Sequence, residues 1–239
     1  MCAWCGPSLQ SSWHEAGVNQ MKASLSTPLV RGTQQQIPLS VDILLRDGTY
    51  DLTAQNETLH IGLSIAIASD NIMFVEKLLH HPQINLYDTS CSTKSPVAIA
   101  LEYQRYNTLR LLLDYYQIDL NTRDSQGQAP LHLAVIYDDP IAVRILLEHP
   151  RVDINYLTAA GDSPLLLAAK TFDGNRARSQ ILHDIVSMPN VLLDQRDRMG
   201  CSALWHTVNT SNIPLIMMLY QDPRTEVGMA DREGITPYV

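Results

Sequence analysis

Asp124-Ser125-Gln126-Gly127-Gln128-Ala129-Pro130-Leu131-His132-Leu133-Ala134 is the stretch from which the fold can be read, because variants of it recur along the chain. Ser95-Pro96-Val97-Ala98-Ile99-Ala100 precedes it; Ser163-Pro164-Leu165-Leu166-Leu167-Ala168 and Ser202-Ala203-Leu204-Trp205-His206-Thr207 come after it. With Pro96, Pro130, Pro164, Ala203 and Pro237 as markers, the intervals are 34, 34, 39 and 34 residues. A fixed period of this length is the signature of stacked repeats. Between markers come a second apolar cluster, as in Leu109-Arg110-Leu111-Leu112-Leu113 and Val143-Arg144-Ile145-Leu146-Leu147, and then a hinge phrase. The hinges read Gln117-Ile118-Asp119-Leu120-Asn121, Arg151-Val152-Asp153-Ile154-Asn155 and Asn190-Val191-Leu192-Leu193-Asp194.

Each phrase has a mechanical reading. Proline in the first turn of a helix loses no intrahelical hydrogen bond, and a preceding serine caps the orphan amides, so Ser-Pro starts a short helix. Ala100, Ala134 and Ala168 one turn later allow neighbouring helices to approach closely. The leucine-rich cluster predicts a second, antiparallel helix, and the polar run from Asn121 to Gln128 with Gly127 predicts a turn. One such unit cannot bury its own apolar face; a stack of them can.

The phrase resembles the ankyrin repeat, whose pattern Asp-x-x-Gly-x-Thr-Pro-Leu-His-x-Ala is matched by residues 124–134 everywhere but at the threonine. Asp231-Arg232-Glu233-Gly234-Ile235-Thr236-Pro237 begins a further copy. The resemblance covers residues 57–239 and implies an all-α solenoid of stacked antiparallel helix pairs with turn tips near residues 55, 91, 125, 159 and 198. Val41-Asp42-Ile43-Leu44-Leu45 through Leu52 reads as a degenerate first repeat, so the expected organisation is an N-terminal segment, 1–35, of unassigned structure and a repeat domain, 36–239. Thr93 replaces the turn glycine of one tip. About five extra residues near Phe172-Asp173-Gly174-Asn175-Arg176 are expected to enlarge the loop of the fourth repeat. In the fifth, Trp205 replaces the histidine and Ala203 the proline.

Composition limits the function. The 239 residues are 45% hydrophobic and 18% charged, enough to build a core, and the net charge of −8 argues against collecting nucleic-acid or lipid phosphates. No apolar run approaches the roughly 18 residues a membrane helix needs. The opening Met1-Cys2-Ala3-Trp4-Cys5 lacks a basic start and apolar run, which points to the cytoplasm or nucleus and to reduced cysteines.

Several motifs invite chemistry. Trp4-Cys5-Gly6-Pro7 looks like a thioredoxin phrase, yet Ser8 stands where the second cysteine would be; Cys2, Cys5 and His14 fall short of the four ligands of a structural zinc. His132 is expected to brace a turn, and His81 and His149 to sit at helix ends that favour a cation. Asp197, Cys201 and His206 include the residue types of an orienter, a nucleophile and a base, but closeness in sequence does not fix geometry. No catalytic residue, metal or cofactor is therefore assigned. The glycosylation sequons at Asn56 and Asn209 carry weight only in a secreted chain.

The resemblance places a binding surface on the groove formed by tips and first helices. The positions mapped to it are Glu102 and Tyr103, Ile136 and Tyr137, Lys170 and Thr171, and Asn209 and Thr210, with Gln126, Gln128, Arg198 and Met199 at the tips. The expected function is a non-catalytic protein-interaction module that takes a peptide or protein; the alternative is an enzyme or small-ligand binder with a groove pocket of tyrosines and histidines. Ile213, Leu215, Ile216, Met217, Met218 and Leu219 make a helix apolar on nearly all sides, so residues 213–239 are expected to be covered, for instance by self-association.

Overall fold

The serine–proline phrases start helices as their chemistry requires. In the computed structural model, which describes residues 62–80 and 94–237, Ser95 and Ser163 accept hydrogen bonds from the backbone N–H of Ala98 and Leu166, and Ser202 from that of Trp205. Ala129 has no such side chain, and His132 compensates. Its Nδ1 accepts from the Ala129 N–H at 3.3 Å while Nε2 reaches the Asp162 carbonyl at 3.1 Å, which ties the helix start to the next tip. His132 is the turn brace expected from its place in the phrase.

The chain divides into two units, Met1–Thr93 and Lys94–Val239. In the first, α1 (62–68) and α2 (Ile72–Leu79) are joined through Asp70, and Asn71 caps α2 through the Phe74 N–H. The expected segment 1–35, the degenerate first repeat, the tips near 55 and 91, Thr93, Cys2, Cys5, His14 and His81 lie outside the described residues.

The second unit holds four helix pairs. The first helices are α3 (Pro96–Glu102), α5 (Pro130–Ile136), α7 (Pro164–Lys170) and α9 (Ala203–Asn209); their partners are α4 (Tyr106–Asp114), α6 (Pro140–Leu147), α8 (Arg176–Val186) and α10 (Ile213–Gln221). First helices pack on first helices and second on second, giving two layers with the core between them. No strand occurs among the described residues. Ala100, Ala134 and Ala168 are fully buried where the first helices meet, as their size predicts; Thr207 takes that place in α9 and donates its hydroxyl to the Leu204 carbonyl at 2.8 Å.

The fourth repeat departs from the sequence expectation. Its extra residues do not all enter the loop: the connection grows from 137–139 to 171–175, and α8 itself is longer, 11 residues against 8 in α6. Gly174 takes the left-handed turn conformation that Gln104, Asp138 and Ser211 adopt in the other pairs.

Repeats are also tied by side chains that the repeat phrase does not advertise. Arg151 donates to the carbonyls of Leu113, Tyr115, Tyr116 and Ile118, the open end of the preceding second helix and its hinge. Arg224 does the same for Val186, Met188 and Pro189. Asn121 bridges the next hinge through the Arg151 carbonyl and the Asp153 N–H, and Asn155 repeats this with Asn190 and Leu192.

Two turn glycines separate backbone strain from steric fit. Both have φ between +75 and +85°, but a Cβ on Gly127 would lie 2.4 Å from that of Ala159, whereas one on Gly174 meets nothing within 4 Å. Gly174→Ala is expected to cost about 1–2 kcal/mol from the left-handed conformation alone. Gly127→Ala should lower the urea midpoint distinctly further, because two tips are forced apart.

Candidate functional site

The helix ends set a register. Glu102, Ile136, Lys170 and Asn209 are the last residues of the four first helices, and Tyr103, Tyr137, Thr171 and Thr210 are the C-caps next to them. The mapped positions thus recur at the same place on successive first helices. Tyr103 is 51% exposed, Tyr137 38% and Ile136 39%, a run of large apolar surface across two adjacent repeats. Gln126, Arg198 and Met199 are exposed at the tips, and Gln128 is partly covered.

Charges bracket this apolar run in mirror order. Lys94, in the tip before α3, pairs with Glu102 at its end, 2.8 Å away; in α7 the signs are exchanged, with Asp162 at the tip and Lys170 at the helix end, 2.6 Å apart. The hydrogen bond to Glu102 holds the Lys94 ammonium above its ordinary value. In the intervening repeat the same two positions are Gln128 and Ile136.

Lys170, Thr171 and Thr210 are less free than their positions suggest. Lys170 also contacts Asp197 at 2.8 Å. Thr171 accepts from Arg178 and donates to the Leu167 carbonyl, and Thr210 donates to the carbonyls of His206 and Thr207. Arg198 spends one guanidinium nitrogen on the Ala159 carbonyl. The open part of the row is therefore Tyr103, Ile136, Tyr137 and Asn209, while Glu102 is held by Lys94.

The tip of the fifth repeat brings together a group that the sequence left unassembled. Asp197 Oδ1 accepts from the N–H groups of Met199 and Cys201, each at 2.9 Å, and Oδ2 meets His206 Nε2 at 3.0 Å and Lys170 Nζ. Trp205 sets its ring edge-on to that of His206 at 5.3 Å. Burial pushes the Asp197 carboxyl up, but the hydrogen bonds from Lys170, His206 and the Cys201 backbone outweigh it and bring it down to about 2. Burial pulls Lys170 down, and its bonds to Asp162 and Asp197 more than reverse this. Burial also pulls His206 below its ordinary value despite Asp197. Burial and then Asp197 push the Cys201 thiol up, so at neutral pH it stays protonated and is a poor nucleophile.

Known proteins share the stacked helix-pair fold. The family model "Ankyrin repeats (3 copies)" matches residues 63–158. These are ankyrin repeats. The same architecture runs through the described residues to 237, and solved structures share it: the ankyrin repeat domain of Bcl-3, a member of the IkappaB protein family, is 22% identical with a TM-score of 0.72, covering 88% of this chain and 92% of that one. The ankyrin repeat protein EF0377 is 21% identical with a TM-score of 0.66, covering 81% and 96%. A chain from the complex of Bd0816, a predatory endopeptidase from Bdellovibrio bacteriovorus, with immunity protein Bd3460 is 19% identical with a TM-score of 0.55, covering 73% and 87%. No curated protein matches the sequence. No helix among the described residues is long and apolar enough to cross a membrane.

The polar group at the fifth tip is expected to make the stack acid-sensitive. Folding lowers the affinity of Asp197 and His206 for protons, so the unfolded chain takes up protons first as acid is added. Stability should fall as pH drops below about 6.5, the ordinary histidine value, and again as it drops from 3.8 toward about 2. Asp197→Asn is expected to lower the urea midpoint at neutral pH and to flatten the second, more acidic decline.

Proposed function

We propose that this ankyrin array is a non-catalytic module that binds a protein or peptide across the ends of its first helices, with Tyr103, Ile136 and Tyr137 as the centre. The observation that carries this reading is the exposure of those three large side chains at two adjoining positions of the first-helix ends, between two oppositely oriented ion pairs. Amphipathic rings in such a position supply much contact area at little cost in conformational entropy, and residues of this kind dominate binding energy. The ion pairs flank the apolar centre as a polar rim flanks an interface core. A protein partner also accords with the negative net charge, which disfavours nucleic acid.

The test is affinity capture from the native host with wild type, with Tyr103→Ala/Tyr137→Ala, and with Arg110→Ala as a control on an outer helix. Proteins retained by wild type and control but lost by the double variant are the expected result. Each tyrosine change should weaken binding of such a protein by more than about 1 kcal/mol. Equal capture by all three chains refutes the reading.

A second contact surface is proposed on α10, where two copies of the chain would meet. Tyr220 is 56% exposed, whereas Leu147, its counterpart in α6, is 7% exposed; Ile213 and Met217 are at 68% and 50%. Residues 238–239 of the expected 213–239 surface lie outside the described residues. Sedimentation at micromolar concentration should show a dimer that Met217→Glu/Tyr220→Glu returns to monomer. A monomeric wild type rules this surface out.

A further inference from the structure

Asp197, Cys201 and His206 each offer a ligand atom, and these atoms lie within 4.8 Å of one another. Together they form a nitrogen, sulfur and oxygen donor set, the kind that favours zinc-class cations over magnesium or calcium. We propose that the tip of the fifth repeat is a binding site for a divalent transition cation of the zinc class, held by Asp197 Oδ2, Cys201 Sγ and His206 Nε2, with a fourth position left to water or an incoming donor.

The repeat itself explains why one ligand is fixed in advance. In every described tip with an aspartate at this place, Oδ1 closes the turn: Asp124 accepts from Gln126 and Gln128, Asp197 from Met199 and Cys201, and Asp231 from Glu233 and Ile235. Turn closure occupies Oδ1 and orients the carboxylate, leaving Oδ2 for another partner. Hydrogen-bonded orientation of a ligating carboxylate is the device by which metal sites hold their geometry. The other two ligands are particular to the fifth repeat, since the positions of Cys201 and His206 are Gln128 and Leu133 in the third and Asp162 and Leu167 in the fourth.

Distances and charge agree with this reading. Oδ2 and Nε2 are already 3.0 Å apart. Tetrahedral ligands about 2.0–2.1 Å from zinc stand slightly farther apart, so a cation between these atoms requires only a small opening, with the sulfur moving in. The imidazole then carries its proton on Nδ1, and Cys201 gives its thiol proton to solvent. Without the cation, Asp162 and Asp197 present two negative charges against one positive charge on Lys170. A dication bound with loss of the thiol proton brings this partly buried group to neutrality. Lys170 competes for Oδ2, but Asp162, 2.6 Å away, can hold it when the cation enters.

The experiment is titration of the full, reduced, chelator-treated chain with Co²⁺, read by thiolate-to-cobalt charge-transfer absorption and by displacement with Zn²⁺. One equivalent should develop the band in wild type and in Cys2→Ser/Cys5→Ser. Cys201→Ser should abolish it, and His206→Gln should weaken binding at least about tenfold, both with unchanged helical circular dichroism. Lys170→Gln should tighten binding by removing the competitor for Oδ2. The proposal is overturned by a wild type without the band, by a band that survives in Cys201→Ser or disappears in Cys2→Ser/Cys5→Ser, or by affinity indifferent to His206 or Lys170.

Discussion

The close approach of successive first helices through Ala100, Ala134 and Ala168 is the contact on which the rest of the second unit depends. A helix of seven residues is far too short to stand alone in water. It persists because Leu131, Val135, Leu165 and Leu166 are buried against neighbours on either side. Alanine at the crossing point brings neighbouring first helices close together, with those side chains buried around it, and substitutions there would spread the whole stack. The arginine and asparagine bridges at the hinges then satisfy carbonyls that short helices leave open, one repeat serving the next.

Because stacking is carried by the middle of each first helix, the end of that helix and the tip beside it are released from the core. Variation collects there. One pair of positions carries Lys94 and Glu102, then Gln128 and Ile136, then Asp162 and Lys170, and the backbone around them hardly changes. Such exchangeable positions let one scaffold present apolar, acidic or basic surface by substitution alone, which is why fold and function must be argued separately.

The periodic part of this was legible in the sequence for a physical reason. Proline, a capping serine and a small residue at the crossing point are local requirements, so they appear as a local phrase. Tyr103, Ile136 and Tyr137 could also be mapped, since a surface position can be deduced from the period once the helix face is known. The division of the fourth-repeat insertion between loop and helix was not legible, because Asn175 caps α8 early through the Ala177 N–H and the extra residues then continue as helix. The contact of Lys170 with Asp197 was equally hidden. It joins residues in different repeats through the return of a tip over a helix end, and only the eight-residue spacing of Asp162 and Lys170, repeated with opposite signs by Lys94 and Glu102, hints at it.

In the fifth repeat the phrase is altered, and the chemistry of the tip changes with it. Loss of the bracing histidine leaves Trp205 in its place, and the neighbouring His206 turns to Asp197. The imidazole still braces the tip, but through a side-chain carboxylate where His132 uses a backbone carbonyl. A carbonyl of the backbone has a fixed dipole, whereas a carboxylate has a charge that attracts Lys170 and depends on pH. Exchange of one acceptor for the other therefore converts a purely structural brace into a charged cluster, and it does so at the end of the row of first-helix termini. The stability of that tip and the electrostatics of the adjoining surface are thereby coupled through the Asp197 carboxylate and Lys170.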